Sequence, residues 1–497
     1  MIATVTTLGD LAQTAGVIAA ALLAAVVLLH RSPRARAAAM LAALVLTPVL
    51  LVANIWSTPQ FEPLRERPLL ALAAGGCALA MLALGAFAIQ HRPELLALGA
   101  TATLPFRVPI ESGGDTANLL VPLYLVIAAG ALAYAMPRLR APRGLDDVAP
   151  DEGGYPRGLL DWLLAGAIVL YAVQASYSSD FDGALSQTIF FYVPFALLYA
   201  LLVRMDWTRQ LAARCLIVLV VLAVAFVGIG FVEYAQRTLL LNPKVISSNQ
   251  FESYFRVNSL FFDPNIYGRF LVIVMLGLAA ILLWRRRAPI VAGVAAGLAL
   301  LWAGLVLTLS QSSFTALLAG LIVLGALRWG TGRAMAVVAA FAVAGAIVVF
   351  GAPGAVGLDG SADNVSSGRW SLVKGGIELA GERPVQGWGS AAFKQEFREQ
   401  EKASSERASA ASHTIPITIA AEQGLGGLAL YLALIGVAIA TLLRGARRSI
   451  ARAATAAAFV ALVVHTLLYA AFLEDPLAWA LLAVGAALRQ PETEPEP

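Results

Sequence analysis

Four arginines and one histidine in the second half of the chain could bind and act on a phosphate-bearing substrate. They are Arg256, Arg269, Arg369, Arg383 and His413, and each lies in or beside a polar stretch between long apolar runs. A planar guanidinium grips phosphate oxygens with two parallel hydrogen bonds. An imidazole titrates near neutral pH and can take a proton from an attacking hydroxyl. These residue types indicate a site for an anionic substrate, although a lone loop arginine is also typical of a solvated surface.

The remaining histidines and the deepest carboxylate have simpler interpretations. His30 and His91 lie at the ends of apolar runs, which is typical of residues that anchor a helix at the membrane interface. His465 lies within an apolar run, where it is either a buried hydrogen-bonding residue or a catalyst. Glu422 lies about 13 Å of helical rise beyond His413, so we expect no contact between them. We predict that Glu422 is structural, with a basic residue of a neighbouring helix as the first candidate partner.

Sequence signatures of several other chemistries are missing. The chain has no Asp-x-Asp or outer His/Asp/Glu cluster for a divalent metal, no Walker-type loop and no Gly-x-Ser-x-Gly turn. Its two cysteines, Cys77 and Cys215, lie in apolar runs without metal-type spacing. We therefore expect no metal and no cofactor, so arginines would have to neutralise an anionic substrate.

The composition indicates an integral membrane protein. Of 497 residues, 59% are hydrophobic and 13% are charged, and the mean hydropathy is +0.77. The apolar runs are about 20 residues long, which lets a helix cross ~30 Å of hydrocarbon. We predict an all-α polytopic membrane protein with about 12–14 transmembrane helices. The spans are expected near residues 11–29, 38–56, 69–90, 118–136, 158–176, 187–203, 211–234, 266–284, 288–307, 312–328, 333–352, 415–442, 453–473 and 477–488.

Basic residues in short loops orient these spans. Two spans separate each successive pair of the basic loops at 138–143, 204–209, 285–287, 328–333 and 444–448, as they must if all are cytoplasmic. These loops account for the formal charge of +4, so we expect no nucleic-acid partner. The same parity places residues 253–270, 307–314 and 353–413 outside. The segment 91–117 fits either a short span or a re-entrant segment.

The stretch 353–413 is longer than a connection between spans needs. It contains a helical pattern with Trp370, Val373 and Ile377 on one side, and Trp388 marks a packed turn. We expect a large extracytoplasmic loop with two short helices over the membrane helices. The chain then divides into N-terminal transmembrane helices (1–157), central transmembrane helices (158–352), this loop (353–413), C-terminal transmembrane helices (414–488) and a disordered tail (489–497).

Four motifs resemble those of the O-antigen ligase and polymerase family. They are DPNIYG (263–268), LTLSQSS (307–313), SGRWSLVKGGIELAGERPVQGWGSAAF (367–393) and HTIPITIAAEQGLGG (413–427). Each is weak alone, but their order, spacing and shared face make the set specific over roughly residues 250–440. The resemblance implies a GT-C-like fold and metal-independent glycosyl transfer. Its donor would be an undecaprenyl-diphosphate-linked glycan, used at the outer face of the bacterial cytoplasmic membrane.

The resemblance also implies roles for particular residues. The loop arginine of the family corresponds to Arg369 and its histidine to His413, and we expect these two to be catalytic. Family ligases often carry an arginine where this chain has Gln311, so the phosphate-binding role of that arginine would pass to Arg256 or Arg269 or be absent. The expected substrate-binding residues are Arg256, Asp263, Asn265, Arg269, Gln311 and Arg383, and the expected structural residues are Glu422, Gly424 and Gly427. Asp263 could alternatively be only a helix cap.

Two alternatives stay open from the sequence. A ligase and a polymerase differ only in the acceptor, which is another glycolipid or a protein for the first and a second lipid-linked repeat for the second. A lipid-linked oligosaccharide flippase or other transporter is the alternative from another class. Transporters tend to have internal repeats and midplane sites, whereas the polar residues here gather at one face.

Overall fold

The computed structural model describes residues 8–55, 66–112, 115–140, 158–240, 255–336, 339, 369–401, 414–469 and 471–488. Apart from one short β hairpin, the regular structure in these ranges is helical. Ten described helices are long and apolar enough to cross a membrane, and three shorter apolar helices accompany them. The prediction of an all-α polytopic membrane protein is confirmed. Most of the predicted span 333–352 and the tail 489–497 lie outside the described residues.

The helices follow the apolar runs closely. The first eight are α1 (Leu8–Leu29), α2 (Pro33–Ile55), α3 (Pro68–His91), α4 (Glu94–Thr103), α5 (Val121–Arg140), α6 (Leu159–Ala175), α7 (Phe181–Leu202, with a π-helical turn at Thr188–Tyr192) and α8 (Arg209–Gln236). The next eight are α9 (Pro264–Trp284), α10 (Ala288–Thr308), α11 (Gln311–Trp329), α12 (Arg369–Glu382), α13 (Phe393–Glu401), α14 (Ile415–Leu443), α15 (Ile450–Thr466) and α16 (Pro476–Ala487).

The segment 91–117 contains a short helix followed by extended chain. The helix α4 has 10 residues, too few to cross a bilayer alone. Its first residue, Glu94, pairs with Arg214 near the start of α8, and Phe106 packs edge-on against Phe226 further along α8. The chain therefore runs along α8 between these two contacts, a course that fits a short span and a re-entrant segment equally. Strand β1 (Val108–Ser112) then pairs with the antiparallel strand β2 (Asp115–Leu119).

Two large apolar cores hold the helices together. The first joins α1, α2, α4, α5, α6, α7, α14 and α16, the second joins α9, α10 and α11, and α8 and α15 contribute residues to both. Leu477 and Leu481 of α16 pack against both cores, so α16 lies at the seam between them. Leu69 and Leu72 of α3 are 80% and 72% exposed, as expected of side chains that face lipid.

Three helices begin with a polar cap beside a common site. Asp263 caps α9 by accepting the Asn265 amide, Ser310 caps α11 by accepting the Ser313 amide, and Asp475 caps α16 by accepting the Leu477 amide. Proline follows the cap directly in α9 and α16, where its missing N–H costs nothing. These caps fix the positions at which the polar residues of the site leave their helices.

The helices α12 and α13 form the two short helices expected in the long loop. They share a small core made of Leu372, Leu379, Phe393, Phe397 and Ala421 of α14. The predicted apolar face was wrong in one respect, because Ile377 is 59% exposed. The buried face passes instead through Gly375 and Gly376, whose lack of side chains lets Phe397 and Phe393 approach the helix.

Candidate functional site

A buried polar network connects the starts of α9, α11 and α16 with the end of α15. We call it the Arg269 cluster, with members Asn265, Arg269, Ser310, Ser312, Ser313, His465 and Asp475. At its centre, Arg269 is 2% exposed and forms an ion pair with Asp475, which is 3% exposed. Arg269 also donates from Nε to Nδ1 of His465 at 3.2 Å. Arg269 is therefore held inside the protein and does not extend to the membrane surface.

His465 links the arginine to the serines of α11. Its Nε2 lies 3.2 Å from Oγ of Ser312 and 3.3 Å from Oγ of Ser313. Because a guanidinium can only donate, Nδ1 accepts from Arg269 and the ring proton is on Nε2, directed at the serines. A second ring proton would face the guanidinium, so the arrangement favours the neutral imidazole. This geometry fits a buried hydrogen-bonding role.

Close approach of α9 and α11 brings the serines into the network. A Cβ added to Gly268 would lie 2.4 Å from Oγ and 2.9 Å from Cβ of Ser313. Only glycine leaves room for this contact, in which Ser313 also donates to the Asn265 carbonyl at 3.4 Å. The glycine that ends the DPNIYG motif is therefore explained by helix packing at the site.

Arg256 extends the network toward the surface. It is 7% exposed and donates to the Thr308 carbonyl at 2.9 Å and to Oδ1 of Asn265 at 3.0 Å. The same Oδ1 accepts from Oγ of Ser310 at 2.8 Å. A continuous path of hydrogen bonds thus connects Arg256 with Arg269 through the asparagine, the serines and the histidine.

Asp263 has a capping role and a second contact. Its Oδ1 accepts the Asn265 amide at 2.6 Å, and Tyr469 hydrogen-bonds the carboxyl group. The Tyr469 ring lies 5.7 Å from Cζ of Arg269. Burial and the neighbouring Asp263 charge raise the pKa of the Tyr469 hydroxyl well above its usual range, so Tyr469 is a proton donor to the carboxylate. Asp263 therefore borders the Arg269 cluster in addition to capping α9.

Arg107 is a member of this region that the sequence did not indicate. Its Cζ lies 5.0 Å from the centre of the Phe262 ring, and it lines a small cavity together with Asp475. Burial lowers the pKa of the Arg107 guanidinium, while Asp475 opposes this shift and Arg269 adds to it. The residue lies in the segment whose topology was open, which is why it was not grouped with the other arginines.

Two predicted binding residues lie apart from the Arg269 cluster. Arg383 is exposed and its Cζ stacks 3.7 Å from the centre of the Trp388 ring. Gln311 is the first residue of α11 and is exposed, whereas Ser310, Ser312 and Ser313 on either side of it are buried. Neither side chain takes part in the hydrogen bonds of the cluster described above.

Glu422 and Gly424 hold the turn between α12 and α13. The Trp388 amide donates to the Ala421 carbonyl at 3.0 Å, and the Gly389 amide donates to the Glu422 carbonyl at 2.9 Å. The Glu422 carboxylate accepts the Phe393 amide at 3.2 Å and that of Ala391. Among the described residues the partners of this carboxylate are backbone N–H groups of the docked turn, not the basic side chain that was expected.

Gly424 interrupts α14 so that this docking can occur. Its φ of 67° and ψ of −171° are non-helical, and a Cβ there would lie 2.2 Å from the Val385 carbonyl oxygen. The next amide, of Leu425, donates to the Pro384 carbonyl at 2.8 Å. Gly427 is buried against the Gln423 side chain just beyond the break, where a Cβ would lie 2.2 Å from Cβ of Gln423.

The two expected catalytic residues fall at the margin of the structure. His413 lies outside the described residues, and Arg369 begins α12 with its side chain outside them. The residue after His413 is described: Oγ1 of Thr414 donates to the Leu467 carbonyl at 3.2 Å. Leu467 begins the short connection that carries Tyr469 and Asp475, so α14 starts beside the loop that completes the Arg269 cluster.

Comparison with known proteins identifies part of the chain. Residues 296–432 match a family model described as O-antigen ligase. The match covers 137 of the 497 residues, and over this region the chain is similar to the O-antigen ligase family. No curated protein matches it. The matched region begins in α10 and ends in α14, and it contains the serines of the Arg269 cluster and the docked turn but not Arg256, Arg269 or Asp475.

Proposed function

We propose that the protein is a membrane glycosyltransferase of the O-antigen ligase or polymerase type. It transfers or polymerises glycan from an undecaprenyl-diphosphate-linked donor at the outer face of the bacterial cytoplasmic membrane. The observation that carries the proposal is the convergence of three arginines and three helix N-termini on one polar network that includes part of the matched region.

The charge balance of this network favours a diphosphate. Arg107, Arg256 and Arg269 face two carboxylates, Asp263 and Asp475, which leaves a net positive charge beside the neutral histidine. The N-termini of α9, α11 and α16 add the partial positive charge of their dipoles. Among the described residues, Nη2 of Arg269 has no hydrogen-bond partner. An anion bound at the edge of the network would be stabilised by all of these groups.

The accessible edge suggests where the diphosphate binds. Arg107 and Asn265 are partly exposed, and Arg256 reaches Asn265, whereas Arg269 is enclosed by Asp475 and His465. We therefore assign direct contact with the diphosphate to Arg107 and Arg256. Arg269 acts through the network, where it fixes Asp475 and His465 and contributes a buried positive charge.

In the proposed reaction an acceptor hydroxyl attacks the anomeric carbon of the donor. The bond between that carbon and the diphosphate oxygen breaks, and undecaprenyl diphosphate leaves with the electron pair. The arginines stabilise the charge that grows on the leaving group, which is the interaction that strengthens toward the transition state. The arginines supply the positive charge that a metal would otherwise provide.

His413 orients the acceptor hydroxyl or takes its proton, and Arg369 contributes a further contact to the diphosphate. The proposal for His413 is supported by the Thr414 hydrogen bond to Leu467, which fixes the start of α14 next to the connection from α15 to α16. Basic loops are typical of the cytoplasmic ends of membrane spans. The basic loop at 285–287 follows the end of α9, whereas Arg269 lies near its start. This arrangement supports an active site at the outer face.

The test is turnover by the purified full-length protein in detergent. Given undecaprenyl-diphosphate-linked repeats, it should release undecaprenyl diphosphate, and chain growth without another acceptor would identify a polymerase. A solution in detergent has no two sides, so release excludes transport as the sole activity. His413→Ala should lower transfer by about 100- to 10,000-fold. Arg398→Ala, an exposed change in the same loop, should leave it intact. Normal turnover in His413→Ala would refute the proposed role.

A further inference from the structure

A groove lies between four helices and opens near the basic loops, and its deep end shares Leu104 and Leu477 with the small cavity beside Asp475. It is formed by α8, α9, α15 and α16 and has a volume of about 1670 Å³. Its walls are mainly aliphatic, with residues such as Leu216, Leu219, Ile273 and Leu481. The space is large enough for a molecule with long hydrocarbon chains.

The depth of the groove corresponds to one leaflet of a bilayer. Along α8 its lining runs from Arg209 to Leu219, about 15 Å of helical rise, and along α9 from Arg285 back to Ile273, about 18 Å. Half of a ~30 Å hydrocarbon layer is ~15 Å. The groove therefore runs from one membrane surface to near the midplane, which is the depth that acyl chains of a single leaflet fill.

Positive charge is concentrated at one mouth of the groove. The charged lining residues are Arg209, Arg285, Arg287, Arg448, Arg452 and one carboxylate, Asp206. All lie at the helix ends next to the basic loops, whereas the deep end is apolar. Basic pockets between transmembrane helices on the cytoplasmic side are typical sites for anionic lipid headgroups.

We propose that this groove is a binding site for an anionic phospholipid of the leaflet on the basic side. The lipid phosphate contacts the arginines at the mouth, and the acyl chains lie against the aliphatic walls. The headgroup end of this site is separate from the diphosphate site, because Arg269 and Arg285 lie toward opposite ends of α9. The inference does not depend on the proposed glycosyltransferase activity.

The experiment uses delipidated full-length protein and an equal mixture of dioleoyl phosphatidylglycerol and dioleoyl phosphatidylcholine, with bound lipid counted by native mass spectrometry. One phosphatidylglycerol should be retained in preference to phosphatidylcholine. The double variant Arg285→Gln/Arg448→Gln should weaken its binding by roughly 30-fold, taking about 1 kcal/mol per arginine at ~1.4 kcal/mol per tenfold. The matched control is Arg286→Gln/Arg447→Gln, which changes the same two loops at residues that do not line the groove. It should bind as the unmodified protein does.

A fluorescence measurement locates the lipid without relying on the arginine variants. Trp207 lines the groove, and its emission is the difference between the emission of the unmodified protein and that of Trp207→Phe. Brominated phosphatidylglycerol should quench this emission more than brominated phosphatidylcholine does. Equal retention of both lipids, equal loss in the control variant, or equal quenching would each overturn the proposal. Binding of undecaprenyl phosphate without binding of phosphatidylglycerol would overturn it as well, since the occupant would then be a polyprenyl chain.

Discussion

Gly424→Ala should undock the turn between α12 and α13 from α14. The native φ of 67° and ψ of −171° lie in a region that side-chain-bearing residues rarely adopt, at a cost of about 1–3 kcal/mol. The added Cβ would also lie 2.2 Å from the Val385 carbonyl oxygen, so the Pro384–Val385 backbone must move away. That movement breaks the 2.8 Å hydrogen bond from the Leu425 amide to the Pro384 carbonyl, worth about 0.5–1.5 kcal/mol.

Together these effects favour the undocked turn by about 2–4 kcal/mol, or roughly 30- to 1,000-fold in the opening equilibrium. Hydrogen–deuterium exchange should report this change directly, because the Trp388 and Gly389 amides donate to carbonyls of α14 only while the turn is docked. Their protection should fall by the same factor, while that of α9, in the second core, should stay as it is.

Gly426→Ala is the matched control for this measurement. Gly426 is two residues further along α14, and a Cβ there would meet nothing within 4 Å. We expect it to leave Trp388 and Gly389 protected, with a small gain in helix stability of up to about 1 kcal/mol. If Gly424→Ala protected the two amides as well as Gly426→Ala does, the assignment of Gly424 to docking would be wrong.

Three further changes test the Arg269 cluster and its surroundings. Asp475→Asn leaves the charge of Arg269 buried without its ionic partner, so equilibrium unfolding should give a loss of about 3–5 kcal/mol; a loss below 1 kcal/mol would contradict the importance of the pair. Burial raises the pKa of Glu474 above its ordinary 4.5, so its ionisation costs native stability as pH rises above that value. Glu474→Gln should therefore flatten the decline in thermal stability as the pH rises above 4.5, and an unchanged slope would assign the decline to another group. Arg107→Gln should lower kcat/KM for the lipid-linked donor by about 10- to 150-fold, which corresponds to the loss of one charged hydrogen bond. Arg107→Lys should recover part of this loss. Unaltered kinetics in Arg107→Gln would show that Arg107 is not part of the donor site.

The sequence by itself determined the class of the protein and the positions of its helices. Apolar runs of about 20 residues must be helical in hydrocarbon, because only a helix satisfies every backbone group within the segment. Local rules also fixed the start of α9, since the Asp263–Pro264 pair is a cap followed by a proline. The same pair recurs as Asp475–Pro476 at the start of α16, a local signal that could have drawn attention to Asp475.

The partners of the polar residues were decided by the tertiary structure. Arg269 and Asp475 are 206 positions apart, and Gly389 meets the carbonyl of Glu422 only because α14 is interrupted at Gly424. Hydropathy and charge patterns describe one segment at a time, so they indicate that a buried charge needs a partner without indicating which one. The packing of α9 against α11, α15 and α16 selects that partner, because it alone brings the capped helix ends together around the arginine.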